Sequence, residues 1–197
     1  SQLAKPFVEN NILYFSINHE LCPTVTLSEI VKQVTEAIVW IYNNCKKFGG
    51  NKNKITISGH SAGAHLCAMI MENNWEEYNI PKNIIKGAAL ISGIYQPELV
   101  LNLSVNKEIR LSKKEAIKNT PKAPKENIPI ILTCVGEKEP EGWKEQTKLF
   151  TKNIIDNCNC LDFSILENEN HFSMMTSFSN SEHKFVKKII NMAKNIL

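Results

Sequence analysis

The sequence has no apolar run near the ~18–20 residues of a membrane-spanning helix, so none is expected. Its first residues, SQLAKPFVEN, lack the basic-then-apolar layout of a signal peptide. It also lacks a strong charge of one sign. Lys and Arg number 23 against 20 Asp and Glu, the formal net charge is +3, and the lysines are spread along the chain. That argues against nucleic acid or a membrane surface as a partner. The six cysteines (22, 45, 67, 134, 158 and 160) show no paired C-x-x-C spacing, and Cys158-x-Cys160 is too short a step for a usual zinc finger. No metal site or cofactor is expected. Set mostly inside apolar runs, these cysteines read as reduced, buried thiols, which suits a cytoplasmic location. Internal repeats and low-complexity tracts are missing as well.

What is present suits one globular domain over residues 1–197, with 43% hydrophobic and 22% charged residues. Strand-like and helical runs alternate. NILYFSI (11–17) and KITISG (54–59) are strand candidates, and KGAALISG (86–93) and IPIILTCVG (128–136) are near-continuous apolar runs of the kind buried parallel strands need. CLDFSIL (160–166) follows a helix over about 142–157. Thr26-x-x-Glu29 forms a capping box before apolar positions 27, 30, 31, 34, 37, 38 and 41, which keep helical spacing. SAGAHLCAMIM is apolar nearly all round and reads as a buried helix. The last helix, about 182–196, is expected to bury Phe185, Val186, Ile189, Ile190, Ala193 and Ile196. The alternation predicts an α/β fold with a parallel sheet. Residues 94–127 exceed a usual connection and read as a cap-like excursion, with Ser112-x-x-Glu115 capping a short helix.

The chemistry centres on Ser61. A serine hydroxyl is a weak nucleophile until a base takes its proton and a third group orients that base. Ser61 lies in G-H-S-A-G between a strand and a helix, the context of a nucleophile elbow, and Gly59 and Gly63 are expected to relieve its crowding. The partners then follow in the order serine, acid, histidine. His19 and His60 come too early, His65 is one helical turn past Ser61 and suits packing, and His183 reads as part of a solvated face. His171, in the loop after the last strand, is the candidate base. The acid is harder, because the chain has only two aspartates: Asp156 lies in a helix and Asp162 inside a strand. The loop EKEPEGW offers Glu137, Glu139 and Glu141, and the spacing alone does not choose among them.

The stretches YFSINHELCPTVTLSEIVKQVTEAIVWI, ISGHSAGAHL, SGIYQPELVLNLSVN, VGEKEPEGWKEQT and NHFSMM together resemble the kynurenine formamidase (arylformamidase) family, from about Tyr14 to Met175. The resemblance implies an α/β-hydrolase fold, a mostly parallel sheet with helices on both faces. It also implies hydrolysis of N-formyl-L-kynurenine to L-kynurenine and formate, in tryptophan catabolism. It places the acid at Glu139, a glutamate where the family pattern has aspartate, beside Ser61 and His171. Ala62 would lend its backbone N–H to an oxyanion hole, and Tyr95 and His60 would line a substrate pocket. The partner would be a small molecule, and the resemblance allows a homodimer.

The family's H-G-G-x-W oxyanion motif is missing from these residues. The resemblance begins within the helix after that loop, so the expectation is an N-terminally truncated hydrolase with impaired activity. A missing strand between 11–17 and 54–59 would leave 11–17 either displaced or moved inward against 54–59. Two other readings share the same elbow: a carboxylesterase for small esters, and a non-catalytic hydrolase-fold binding protein.

Overall fold

The computed structural model describes residues 2–122, 124, 128–155 and 161–195. Asp156, Cys158, Cys160 and Ile196 lie outside them. Four parallel strands, β1 (Ile55–His60), β2 (Ile85–Ile91), β3 (Ile130–Gly136) and β4 (Leu161–Leu166), form one sheet in the order β1-β2-β3-β4. The helices are α1 (Lys5–Val8), α2 (Leu27–Asn44), α3 (Ala62–Met71), α4 (Asn106–Ile109), α5 (Lys113–Lys118), α6 (Glu141–Ile155), α7 (Ser173–Ser177) and α8 (Lys184–Asn195), with a 3-10 turn over Pro97–Asn102.

The strand residues alternate between two apolar layers, as side chains on successive strand positions must. Ala88 and Leu90 of β2 pack with Ile30, Val34 and Ile38 of α2, the buried face of α3, and Phe150 and Ile154 of α6. Ala89 and Ile91 face the other way, toward Met174 of α7 and Phe185, Val186 and Ile189 of α8. Burial on both faces explains why β2 and β3 are near-continuous apolar runs. α8 buries Met192, while Ala193 is only half-buried.

Both expected helix starts are present, but neither capping box closes. Thr26 accepts the Glu29 N–H at 3.2 Å, and Ser112 accepts the Glu115 N–H at 3.2 Å. The Glu115 carboxylate reaches instead across the fold, where its Oε2 accepts the Ser28 N–H at 2.8 Å, at the start of α2. The excursion is thereby fastened to the body.

The expected strand at 11–17 is not formed. Residues 12–21 carry no regular structure, and Tyr14 and Phe15 are spent on ring contacts, with Phe7 at 5.6 Å and with Trp40 and Phe48 at 6.4 and 5.9 Å. A cleft of about 570 Å³ lies between this segment and β1, lined by Phe15 and Ile17 on one side and Ile55 and Ile57 on the other. Of the two expected outcomes, displacement is the one observed. The sheet contains four strands among the described residues, and β1 is an edge strand.

Candidate active site

Each of the four strands ends at one of the residues that meet in the candidate site. Ser61 follows β1, Ser92 follows β2, Glu139 lies three residues past β3, and His171 lies in the loop after β4. The carboxyl ends of the strands of a parallel sheet are where such folds assemble their sites.

Ser61 sits between β1 and α3 at φ 57° and ψ −119°, a left-handed conformation that is uncommon outside glycine. Its N–H is held by the Ile91 carbonyl at 2.9 Å, which ties the elbow to the end of β2. The turn brings Gly59 against the first turn of α3, so a β-carbon there would collide with backbone. Gly63 does not share that constraint: nothing lies within 4 Å of where its β-carbon would be, and it borders the cleft beside β1. The expected symmetry of the two glycines therefore fails at Gly63.

Ser61 Oγ lies 2.9 Å from His171 Nε2, and His171 Nδ1 lies 2.6 Å from Glu139 Oε1. An ionised carboxylate only accepts, so the bond to Glu139 places the imidazole proton on Nδ1 and leaves Nε2 free to take the Ser61 proton. Glu139 is 4% exposed, and each of its oxygens has a further donor. Oε1 accepts from the Ser92 hydroxyl, and Oε2 accepts the Gly136 N–H at 2.8 Å. Burial raises the Glu139 pKa more than any other single influence. The hydrogen bonds from His171, Ser92 and Gly136, with the charge of His171, together outweigh it and hold the carboxyl below the usual range.

The other loop carboxylates are engaged elsewhere. Glu137 accepts the Asn168 N–H at 2.9 Å, and Glu141 pairs with Lys144 at 2.7 Å. Asp162 pairs with Lys188 at 2.6 Å.

His60 packs its ring 4.5 Å from that of His171, and its Nε2 is buried without a hydrogen-bond partner. Burial, followed by the charge of His171, pushes its pKa down. Tyr95 does not fit its expected place in the pocket. It is 2% exposed and stacked on Phe150 at 4.1 Å, because its backbone N–H is drawn to Gln146 Oε1 and its ring fills the core. His65 is buried, with Nε2 2.7 Å from the Asn119 carbonyl, as a packing residue should be. His183 does not lie on a solvated face: it packs on Phe178 at 4.9 Å and sits 3.7 Å from Glu169.

Three further residues at the site are not among those expected from the sequence. Ser92 and Trp143 support Glu139 and His171 from the ends of other elements, and Phe172, 82% exposed, sits edge-on to His171 at 5.5 Å. A serine at the carboxyl end of a buried strand was the one available pointer to Ser92. Ala62 opens α3, so its N–H has no partner within the helix and lies next to Ser61.

The BD-FAE family model matches residues 1–89. Kynurenine formamidase of Danio rerio is 25% identical over 197 aligned positions, covering 96% of this chain and 65% of that protein. Venom carboxylesterase-6 of Apis mellifera is 46% identical over 66 positions, covering 29% of this chain and 12% of that protein. Among solved structures, an esterase of Pyrobaculum calidifontis superposes with a TM-score of 0.77 at 18% identity, over 98% of this chain and 68% of its own. The chain thus spans about two thirds of the length of the curated relatives it matches along most of its sequence. It has the α/β-hydrolase fold, and its similarity to the kynurenine formamidases runs along nearly its whole length.

Proposed function

We propose that this chain is a serine hydrolase of the kynurenine formamidase kind, cleaving the formamide of N-formyl-L-kynurenine to release L-kynurenine and formate. The observation that carries the proposal is the run Ser61 Oγ–His171 Nε2 at 2.9 Å and His171 Nδ1–Glu139 Oε1 at 2.6 Å. In this reading His171 takes the Ser61 proton as the hydroxyl oxygen attacks the formyl carbon. The imidazolium then protonates the departing aryl amine, leaving a formyl ester on Ser61. Water, activated by the same imidazole, releases formate. Glu139 keeps the proton of neutral His171 on Nδ1 throughout and stabilises the imidazolium.

The oxyanion would be met by the Ala62 N–H. One oxyanion donor is worth about 10²–10³-fold in rate, which makes this N–H a substantial part of the proposed machinery. Phe172, exposed beside His171, offers an aromatic face to an aryl substrate.

The second reading, a carboxylesterase, draws support from the esterases among the structural neighbours and uses the same three residues. The test is hydrolysis of N-formyl-L-kynurenine and of 4-nitrophenyl acetate by the purified chain and by Ser61→Ala. Loss of both activities in Ser61→Ala is expected; activity that survives it overturns the nucleophile assignment. A strong preference for the ester favours the second reading, and no turnover of either substrate favours a binding protein.

A further inference from the structure

Ser92 is fully buried at the end of β2, and its backbone has φ 49°. A non-glycine residue in the left-handed region is strained, and glycine would avoid that strain. Such strain persists only where surrounding contacts fix it, and here they do. The Ser92 N–H donates to the Cys134 carbonyl at 2.8 Å, and the Ser92 carbonyl accepts the Trp143 indole N–H at 3.0 Å. With both backbone groups held, the hydroxyl has little freedom. It donates to Glu139 Oε1 and stands 3.2 Å from His171 Nδ1. Trp143 also sets its ring edge-on to His171 at 5.1 Å.

We infer that Ser92 is a positioning residue, which clamps the Glu139 carboxylate against His171 from the end of the neighbouring strand. This rests on the hydrolase reading above. A glutamate carries one more rotatable bond than an aspartate, so its carboxylate needs more restraint to hold one place. The Gly136 N–H fixes Oε2 and the Ser92 hydroxyl fixes Oε1, so that Oε1 faces Nδ1. Without the hydroxyl, Oε1 keeps only the mobile imidazole as partner. The carboxylate then swings on its outer bonds, and the imidazole loses its fixed orientation toward Ser61.

The test uses Ser92→Gly, which removes the hydroxyl yet accepts the backbone conformation, with Ser92→Ala beside it. Two readouts are taken on the 197-residue chain. The first is Ser61-dependent hydrolysis of 4-nitrophenyl acetate, where a fall in kcat of about 10- to 100-fold with KM nearly unchanged is expected, from the usual worth of a hydrogen bond to a charged group. The second needs no turnover: the downfield proton resonance of the His171 Nδ1–H, assigned by its loss in Glu139→Gln, is expected to shift or broaden in Ser92→Gly. A folded Ser92→Gly that keeps both kcat and the resonance overturns the positioning role and leaves the hydrolase reading intact. If the parent chain shows no Ser61-dependent turnover, the hydrolase reading fails, and the resonance alone decides whether Ser92 orders the pair.

Discussion

A β-carbon on Gly59 would lie 2.2 Å from the carbonyl oxygen of Gly63, four residues further along the chain. The strand before the serine and the helix after it touch backbone to backbone, and this contact throws the Ser61 side chain outward at the end of the sheet. Backbone cannot move aside as a flexible side chain can. Gly59→Ala is therefore expected to destabilise the fold by at least about 1–3 kcal/mol, the usual cost of overpacking. Gly63→Ala meets open space and reduces the freedom of the unfolded chain, so it should leave stability unchanged or raise it by up to about 1 kcal/mol. Urea unfolding of the two variants checks the contrast, and equal losses would contradict it.

The two nearest loop glutamates should separate cleanly in kinetics. Glu139→Gln leaves the carboxylate's place filled but can hold the imidazole in the wrong tautomer, a change that costs about 10⁴-fold in a serine protease. Glu137→Gln alters only a bond to the Asn168 N–H and is expected to stay within about two-fold of the parent. Comparison of kcat/KM with 4-nitrophenyl acetate tests this, and similar losses in both variants would falsify the choice of Glu139.

Acid should loosen the fold through the same residue. The Glu139 pKa is lowered on folding from its ordinary value of 4.5. A depressed carboxyl adds stability at pH above the unfolded value and loses it as pH falls through the folded value. The Glu139 contribution should therefore be whole at neutral pH and fade from about pH 4.5 downward. Urea midpoints followed from pH 7 to pH 3 should show a shallower acid decline in Glu139→Gln than in the parent chain. Parallel curves would remove the residue from the acid response.

Glu115 ties the excursion to α2 through the Ser28 N–H at 2.8 Å, and Asn119 adds a bond to Ser28 Oγ at 3.0 Å. Glu115→Ala should cost about 1 kcal/mol, the usual worth of one such bond. Its clearer signature is local: amide hydrogen exchange over 97–118 should quicken while β2 and β3 remain protected. Uniform quickening across the sheet would show that the tie supports the whole fold.

The sequence carried the sheet best at β2 and β3, short apolar runs buried on both faces as the inner strands of a parallel sheet must be. β1 and β4, at the two edges, are more polar and are marked mainly by their alternation with helices. It misled at 11–17, where NILYFSI has the composition of a strand but stays apart from the edge of β1 across the cleft; Tyr14 packs on Phe7, and Phe15 on Trp40 and Phe48 instead. That Ser61 and His171 would meet was legible from order and context. Which carboxylate would join them was not, since three loop glutamates differ only in what surrounds them once folded; the family resemblance pointed to Glu139, the one found beside His171 Nδ1. Ser92 was hard to single out for a related reason: its positive backbone angle and its partner 47 residues away exist only in the folded chain. Tyr95 failed as a pocket residue because its ring met Phe150 rather than solvent.

The cleft beside β1 bears on more than the shape of the sheet's rim. A strand with a neighbour on one side opens with a smaller free-energy cost than one clasped on both. β1 runs directly into Ser61, so the serine's approach to His171 lasts only as long as that strand stays zipped to β2. Fraying at the rim and alignment at the site are then one equilibrium seen from two ends. Whatever pairs with the open edge of β1 would steady the serine from behind, without coming near the substrate.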